Sequence, residues 1–214
     1  MKSINRILSE PLSAWLAKTS LHPNSITIMS GASGLIAFLM FTFGNTFGFI
    51  IGAVFFELFY VLDNCDGEVA RAKGLSSHFG SWLDTLVDYI VHVIAFGGIM
   101  LGLYRQHENP VIFIAGIAAM AGIFLSFFVV VLQKLKNYGL AVHGMPKTPD
   151  GSERKTGPLD KLIDVLSVGD FSLVVIIFAL IGKMELLLWL AAFGANIFCI
   201  VLLAVNFKYL IGRG

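Results

Sequence analysis

Four aspartates, Asp63, Asp66, Asp84 and Asp88, stand in the stretch LDNCDGEVARAKGLSSHFGSWLDTLVDYI, which apolar runs flank on both sides. Asp66, Gly67 and Ala70 follow Asp63 by 3, 4 and 7 residues, so all four share one face wherever the chain is helical. Asp84 and Asp88 lie four apart, again on one face, with Gly80 one turn earlier. A single aspartate at a membrane edge is ordinarily solvated or caps a helix; four in this register are a different matter. Converging in partly desolvated surroundings, they repel one another and take up protons unless cations hold them ionised. Oxygen ligands with no thiolate or histidine among them suit Mg²⁺ or Mn²⁺. Gly67, Ala70 and Gly80 keep the helix faces bare, which permits close helix packing or a flat ligand against the backbone. Arg71 either pairs with Glu68 or Asp66 or, beside a cation, binds a phosphate. Two divalent ions in such a site bridge a diphosphate and neutralise its charge, while a carboxylate not committed to metal accepts the proton of an attacking hydroxyl. The chemistry these residues point to is phosphoryl transfer at a membrane surface.

The elements that position them are read from hydropathy. Hydrophobic residues make up 57% of the 214 and charged residues only 14%, a balance that excludes an ordinary soluble domain. Six apolar runs, near 25–43, 47–65, 81–104, 110–132, 163–182 and 185–207, are long enough to cross a bilayer core. The expected fold is therefore all-α: a polytopic membrane protein of six transmembrane helices in a single domain, 1–214. Residues 1–20 carry Lys2, Arg6, Glu10 and Lys18, which break any signal-peptide core. Ile4, Ile7, Leu8, Leu12, Trp15 and Leu16 recur there at helical spacing, as in an amphipathic helix lying in the interface plane. Of the 15 Lys and Arg residues, all but Arg105 and Lys183 fall on one side of this plan. The positive-inside tendency puts both termini, a 66–80 loop and a 133–162 loop in the cytoplasm. Cys65 and Cys199 lie in apolar surroundings near that side and read as packing residues rather than a disulfide.

Asp63, Asp66, Gly67, Ala70, Arg71, Gly80, Asp84 and Asp88 together spell D-x2-D-G-x2-A-R-x8-G-x3-D-x3-D. This resembles, without gap or substitution, the signature of the CDP-alcohol phosphotransferase family, and LHPNSIT at 21–27 is similar to the segment leading into that family's first span. The resemblance implies a homodimer in a prokaryotic cytoplasmic membrane that uses Mg²⁺ or Mn²⁺, two ions per subunit, and displaces CMP from a CDP-linked donor. It implies that Asp63, Asp66 and Asp84 bind the metals and that Asp88 completes the metal site and serves as general base. Asp66, Gly67, Ala70, Arg71 and Gly80 would line the cytidine-diphosphate pocket.

The opening NRILSEPLSAWLAKTSLHPNSIT looks most like the membrane half of enzymes that join CDP-inositol to inositol phosphate. That likeness implies a soluble CDP-inositol donor; the alternative is a phospholipid headgroup synthase using CDP-diacylglycerol. The acceptor is accordingly a polyol phosphate or a lipid, and nucleic acid is not an expected partner. Lys134, Lys136, Arg154 and Lys155 are the basic candidates for an acceptor phosphate, each weighed against a role in setting topology. Asn24 either caps the first span or lies near the nucleotide. Glu57 reaches the substrate cavity or pairs within the bundle; His78 and His92, with no second soft ligand at metal-site spacing, read as hydrogen-bonding or interfacial residues. Asp160, Asp164 and Asp170 could order the fifth span against the site. A divalent-cation transporter is the remote alternative, but its sites belong near the bilayer midplane, whereas this cluster falls at a cytoplasmic edge.

Overall fold

A computed structural model describes residues 4–135 and 171–210. All regular elements among them are helices: α1 (Ile4–Leu16), α2 (Pro23–Phe41), α3 (Thr46–Lys73), α4 (His78–His107), α5 (Val111–Leu135), α6 (Phe171–Leu180) and α7 (Met184–Leu210). Helices α2, α3, α4, α5 and α7 are long and apolar enough to span a membrane. The expected fifth span meets the described residues only as α6, ten residues long. Large apolar side chains such as Leu35, Phe47, Ile114, Phe193 and Ile200 point outward, while a second apolar set, including Phe41, Phe56, Phe59, Ile99 and Leu188, fills the centre. Helices apolar on every side belong in lipid, and the chain is an integral membrane protein.

Local chemistry sets the helix ends around the aspartates. Asn45 caps α3, its side-chain oxygen accepting from the Gly48 amide at 2.7 Å. The helix then runs 28 residues, roughly 42 Å at the standard rise, so it outlasts a hydrocarbon core and carries its last turns beyond the membrane edge. Gly74, at φ 65°, ends it in the left-handed conformation that glycine adopts without a Cβ penalty. Ser77 caps α4 by accepting from the Gly80 amide at 3.0 Å. The loop expected over 66–80 is thus helical on both flanks and reduces to 74–77, because the Gly74 stop and the Ser77 start sit so close together. Of the two readings of Asn24, the cap is not realised: the N-cap of the first span is His22, whose Nδ1 accepts from the Asn24 amide at 3.2 Å, with Pro23 as the first helical residue. The Asn24 side chain has no capping duty.

Helix α2 lies against both α3 and α4, whose backbones have few close approaches to each other. Its fit on α4 depends on bare backbone. A Cβ at Gly102 would stand 2.1 Å from the Phe41 carbonyl oxygen, one at Gly98 would stand 2.7 Å from that of Phe38, and one at Gly34 would meet the Val91 side chain at 2.4 Å. On the other side, α5 and α7 pack through Gly122, where a Cβ would fall 2.8 Å from Ala195 backbone, and through the Asn196 amide, which donates to the Ala118 carbonyl at 2.9 Å.

The N-terminal helix divides its residues differently from a simple amphipathic helix. Ile4, Ile7, Leu8 and Trp15 are exposed, as an interfacial helix requires, but Leu16 is buried and Leu12 packs beside it against Val61, Leu62 and Cys65. The face toward the protein is otherwise small and polar: Asn5, Ser9 and Ser13 are buried, the Asn5 amide donates to the Ser172 hydroxyl at 3.0 Å, and the Ser9 hydroxyl donates to Glu68 at 3.3 Å. Two apolar residues and a polar seam therefore dock α1 on α3 and α6, leaving its remaining apolar side outward.

Candidate active site

The first carboxylate pair sits in the last turns of α3 and the second in the first turns of α4, and the short 74–77 connection brings the two ends together. Asp63, Asp66 and Asp84 each present a ligand oxygen within 4.8 Å of the others. Unit charges 4 Å apart interact by about 4 kcal/mol at an effective dielectric near 20, so three ionised carboxylates in this space need a counter-charge. Asp66 is buried, and the buried Oδ1 of Asp63 makes no hydrogen bond within the protein. A buried acceptor without a donor, beside two other carboxylates, is the environment a hard cation satisfies. On these grounds the residues present fit a bound Mg²⁺ or Mn²⁺.

Asp88 falls outside this triad. One turn farther along α4, its Oδ1 lies 3.2 Å from Nδ1 of His92. The two helices thus provide three clustered carboxylates and a fourth engaged by an imidazole.

A cavity of about 220 Å³ opens beside Asp66 and Asp84 of the triad. Its walls include Asp66, Gly67, Ala70 and Arg71 from α3, Gly80 and Asp84 from α4, and Pro23, Asn24 and Thr27 from α2. The glycines matter here as space: a Cβ on Gly67 would approach Nη1 of Arg71 to 3.3 Å, and one on Gly80 would approach both Oδ1 of Asn24 and Oγ of Ser77 to 3.1 Å. Arg71 is exposed and makes no salt bridge among the described residues, since Glu68 turns instead to Ser9. The alternative of a structural Arg71 and Glu68 pair is thereby set aside. Glu57 is absent from the cavity wall, and His78 is exposed at the start of α4. Cys65 and Cys199 are free and buried, with the Cys65 thiol 3.7 Å from the Ser9 carbonyl oxygen in the α1 seam. Lys134 lies in the last turn of α5. Lys136, Arg154, Lys155, Asp160, Asp164 and Asp170 lie outside the described residues.

Sequence reasoning missed two contributors. Thr27 is buried and its hydroxyl donates to Oδ2 of Asp66, fixing the carboxylate from the α2 side. Its advance signals are its place at the end of LHPNSIT and its spacing of three residues from Asn24, on the same helical face. Lys73, counted by its charge alone, donates from Nζ to the carbonyl oxygens of Thr19 at 2.7 Å and Leu21 at 2.6 Å. This clamp ties the approach to α2 onto the end of α3 and so brings Asn24 and Thr27 to the motif. Thr27→Val, which keeps the shape and loses the hydroxyl, is expected to weaken Mn²⁺ binding by about 10- to 100-fold, the usual effect of deleting a partner that orients a ligand. Electron paramagnetic resonance titration of the purified variant measures this; unchanged affinity would make the bond purely structural.

Comparison with known proteins places these observations. Residues 20–149 match the CDP-alcohol phosphatidyltransferase family. Over 106 residues the chain is 32% identical to a phosphatidylinositol phosphate synthase of Corynebacterium glutamicum, covering 49% of this chain and 47% of that protein. Over 90 residues it is 31% identical to a bifunctional IPC transferase and DIPP synthase of Aquifex aeolicus, covering 42% of this chain and 20% of that one. The chain thus aligns with less than half the length of either relative. Its fold is similar to that of the Mycobacterium tuberculosis phosphatidylinositol phosphate synthase solved with CDP-DAG bound, with a TM-score of 0.63 and 24% identity over 93% of this chain and 92% of the other. A structure of the same protein with manganese and citrate gives a TM-score of 0.60 at 21% identity, covering 94% and 89%.

Proposed function

The chain belongs to the CDP-alcohol phosphatidyltransferase family, and from that membership we propose that it transfers a substituted phosphate from a CDP-linked donor to a hydroxyl of an inositol phosphate, releasing CMP. The observation that carries this reading is the juxtaposition of three aspartates with a cavity walled by Gly67, Ala70, Arg71 and Gly80. Asp63, Asp66 and Asp84 would hold Mg²⁺ or Mn²⁺, which when bound neutralises the charge of the diphosphate. Gly67, Ala70 and Gly80 leave room for the nucleotide against backbone, and the Arg71 guanidinium meets a phosphate oxygen at the mouth. Asp88, outside the triad, accepts the proton as the acceptor oxygen bonds to phosphorus and the bond from that phosphorus to the bridging oxygen of CMP breaks. Asn24 and Thr27 add a third wall from α2.

The donor is CDP-inositol by the likeness of the opening segment, and a relative named as an IPC transferase and DIPP synthase supports it. CDP-diacylglycerol is the second reading, favoured by the relative named as a phosphatidylinositol phosphate synthase and by the similar fold solved with CDP-DAG. An inositol phosphate acceptor is common to both. Its phosphate would be met by one or more of Lys134, Lys136, Arg154 and Lys155. The positive-inside distribution supports a site and both termini on the cytoplasmic side, and bacterial relatives support a prokaryotic membrane. Contacts of α1 and α6 with α3 favour one membrane-embedded domain over 1–214; a second copy of the chain as its partner rests on the family resemblance alone.

Purified protein with Mg²⁺ and either CDP-inositol or CDP-diacylglycerol, each offered inositol, inositol phosphate or glycerol phosphate, tests the assignment by CMP release and product mass. Transfer to inositol phosphate is expected with CDP-inositol. Product only with CDP-diacylglycerol would overturn the donor assignment and leave the reaction class standing; no CMP release from either would sink both.

A further inference from the structure

We propose that His92, held by Tyr60, is a positioning residue that aims the Asp88 carboxylate for proton transfer. The inference rests on the reading of Asp88 as the proton acceptor. His92 stands one helical turn beyond Asp88 on α4, with Nδ1 2.7 Å from the Asp88 carbonyl oxygen and 3.2 Å from Oδ1 of its carboxylate. A carbonyl oxygen can only accept, so Nδ1 carries the hydrogen. The other ring nitrogen, Nε2, lies 2.7 Å from the Tyr60 hydroxyl on α3, which donates to it in the neutral ring. The Asp88 carbonyl thus sets the tautomer, and the Tyr60 hydroxyl holds the opposite edge of the ring from α3.

The ring has little freedom to turn away. It meets Phe56, Phe59 and Tyr60 edge-on, with centroid separations of 5.7, 5.8 and 5.5 Å. The His92 side chain is 19% exposed against 38% for Asp88, so the donor is the more deeply packed of the two. The single Nδ1 hydrogen points first at the carbonyl, with Oδ1 its farther neighbour, so Oδ2, on the other side of the carboxylate, is the oxygen assigned to receive the proton. The aspartates differ accordingly: Asp63, Asp66 and Asp84 cluster together, whereas Asp88 lies outside the triad with its carboxylate beside an imidazole.

The test compares His92→Leu, His92→Asn, Tyr60→Phe and Asp88→Asn in purified protein. CMP release is followed with CDP-inositol and CDP-diacylglycerol against inositol phosphate, and Mn²⁺ binding by electron paramagnetic resonance without substrate. His92→Leu should lower kcat by about 10- to 100-fold, the scale for losing a residue that orients a functional ligand, with donor KM and Mn²⁺ affinity unchanged. His92→Asn, whose amide nitrogen can stand where Nδ1 stood, should recover most of that loss. Tyr60→Phe should lower kcat by a smaller factor, again without moving KM. Combined with Asp88→Asn, His92→Leu should cost nothing further, because it acts through the group already removed. An unchanged kcat in His92→Leu, or a parallel fall in kcat, KM and Mn²⁺ affinity, overturns the proposal. If His92→Leu does not fold, full turnover in Tyr60→Phe overturns it instead. An inactive Asp88→Asn beside a normal His92→Leu removes only the positioning role; an active Asp88→Asn removes the base assignment and the positioning role together.

Discussion

Asp84→Asn is expected to abolish transfer, with CMP release falling by about three orders of magnitude or more, the upper range for removing one preorganised transition-state contact. Among the described residues Asp84 is the one member of the clustered triad that α4 contributes; Asp63 and Asp66 both come from α3. Asparagine keeps the side chain's shape and one oxygen but removes the negative charge that a hard cation requires. Mn²⁺ affinity should therefore fall with turnover. The protein should remain folded in detergent, because Asp84 faces a cavity and the α2 and α4 packing rests on Gly34, Gly98 and Gly102. Size-exclusion chromatography and thermal unfolding check the fold, and resonance titration checks the metal. Near-normal activity at saturating Mg²⁺ would show that Asp84 is not a direct ligand.

Asp88→Asn is expected to separate binding from turnover. Its carboxylate is engaged by His92 outside the triad, so its loss should spare Mn²⁺ and CDP binding while lowering kcat by about 10²- to 10⁴-fold, the range for general-base catalysis. Isothermal titration with CDP and Mn²⁺, set beside steady-state CMP release, makes the comparison. Equal losses in affinity and turnover would assign Asp88 to ligand binding rather than proton transfer.

The contrast between these two aspartates could be read only in part from their spacing. Asp84 and Asp88 are four apart on one helical face, which places both beside α3 but does not say which of the two reaches the cluster. In the fold Asp84 alone joins the cluster, while Asp88 meets His92, which the sequence marked as a hydrogen-bonding residue without naming its partners, Asp88 and Tyr60 on α3. Likewise spacing made Glu68 and Asp66 both available to Arg71, and only the fold shows that Glu68 is engaged by Ser9, 59 positions before it in the chain.

Composition, hydropathy and helical periodicity determined a good deal by themselves: a membrane-spanning all-α chain, the residues of the aspartate motif, and the face each occupies on its own helix. These properties are local, since burial in lipid needs only a long apolar run and the angle between residues three or four apart follows from helix geometry. What only the tertiary structure decided is which faces of different helices meet. The apolar helices offer similar surfaces on every side, so hydropathy does not select a neighbour. The selection falls to close-contact detail: Gly34, Gly98 and Gly102 let α2 settle on α4, and the Lys73 clamp draws the start of α2 to the end of α3. That arrangement sets Thr27 on Asp66 and Asn24 beside Gly80, turning a motif from two helices into a cavity walled by three.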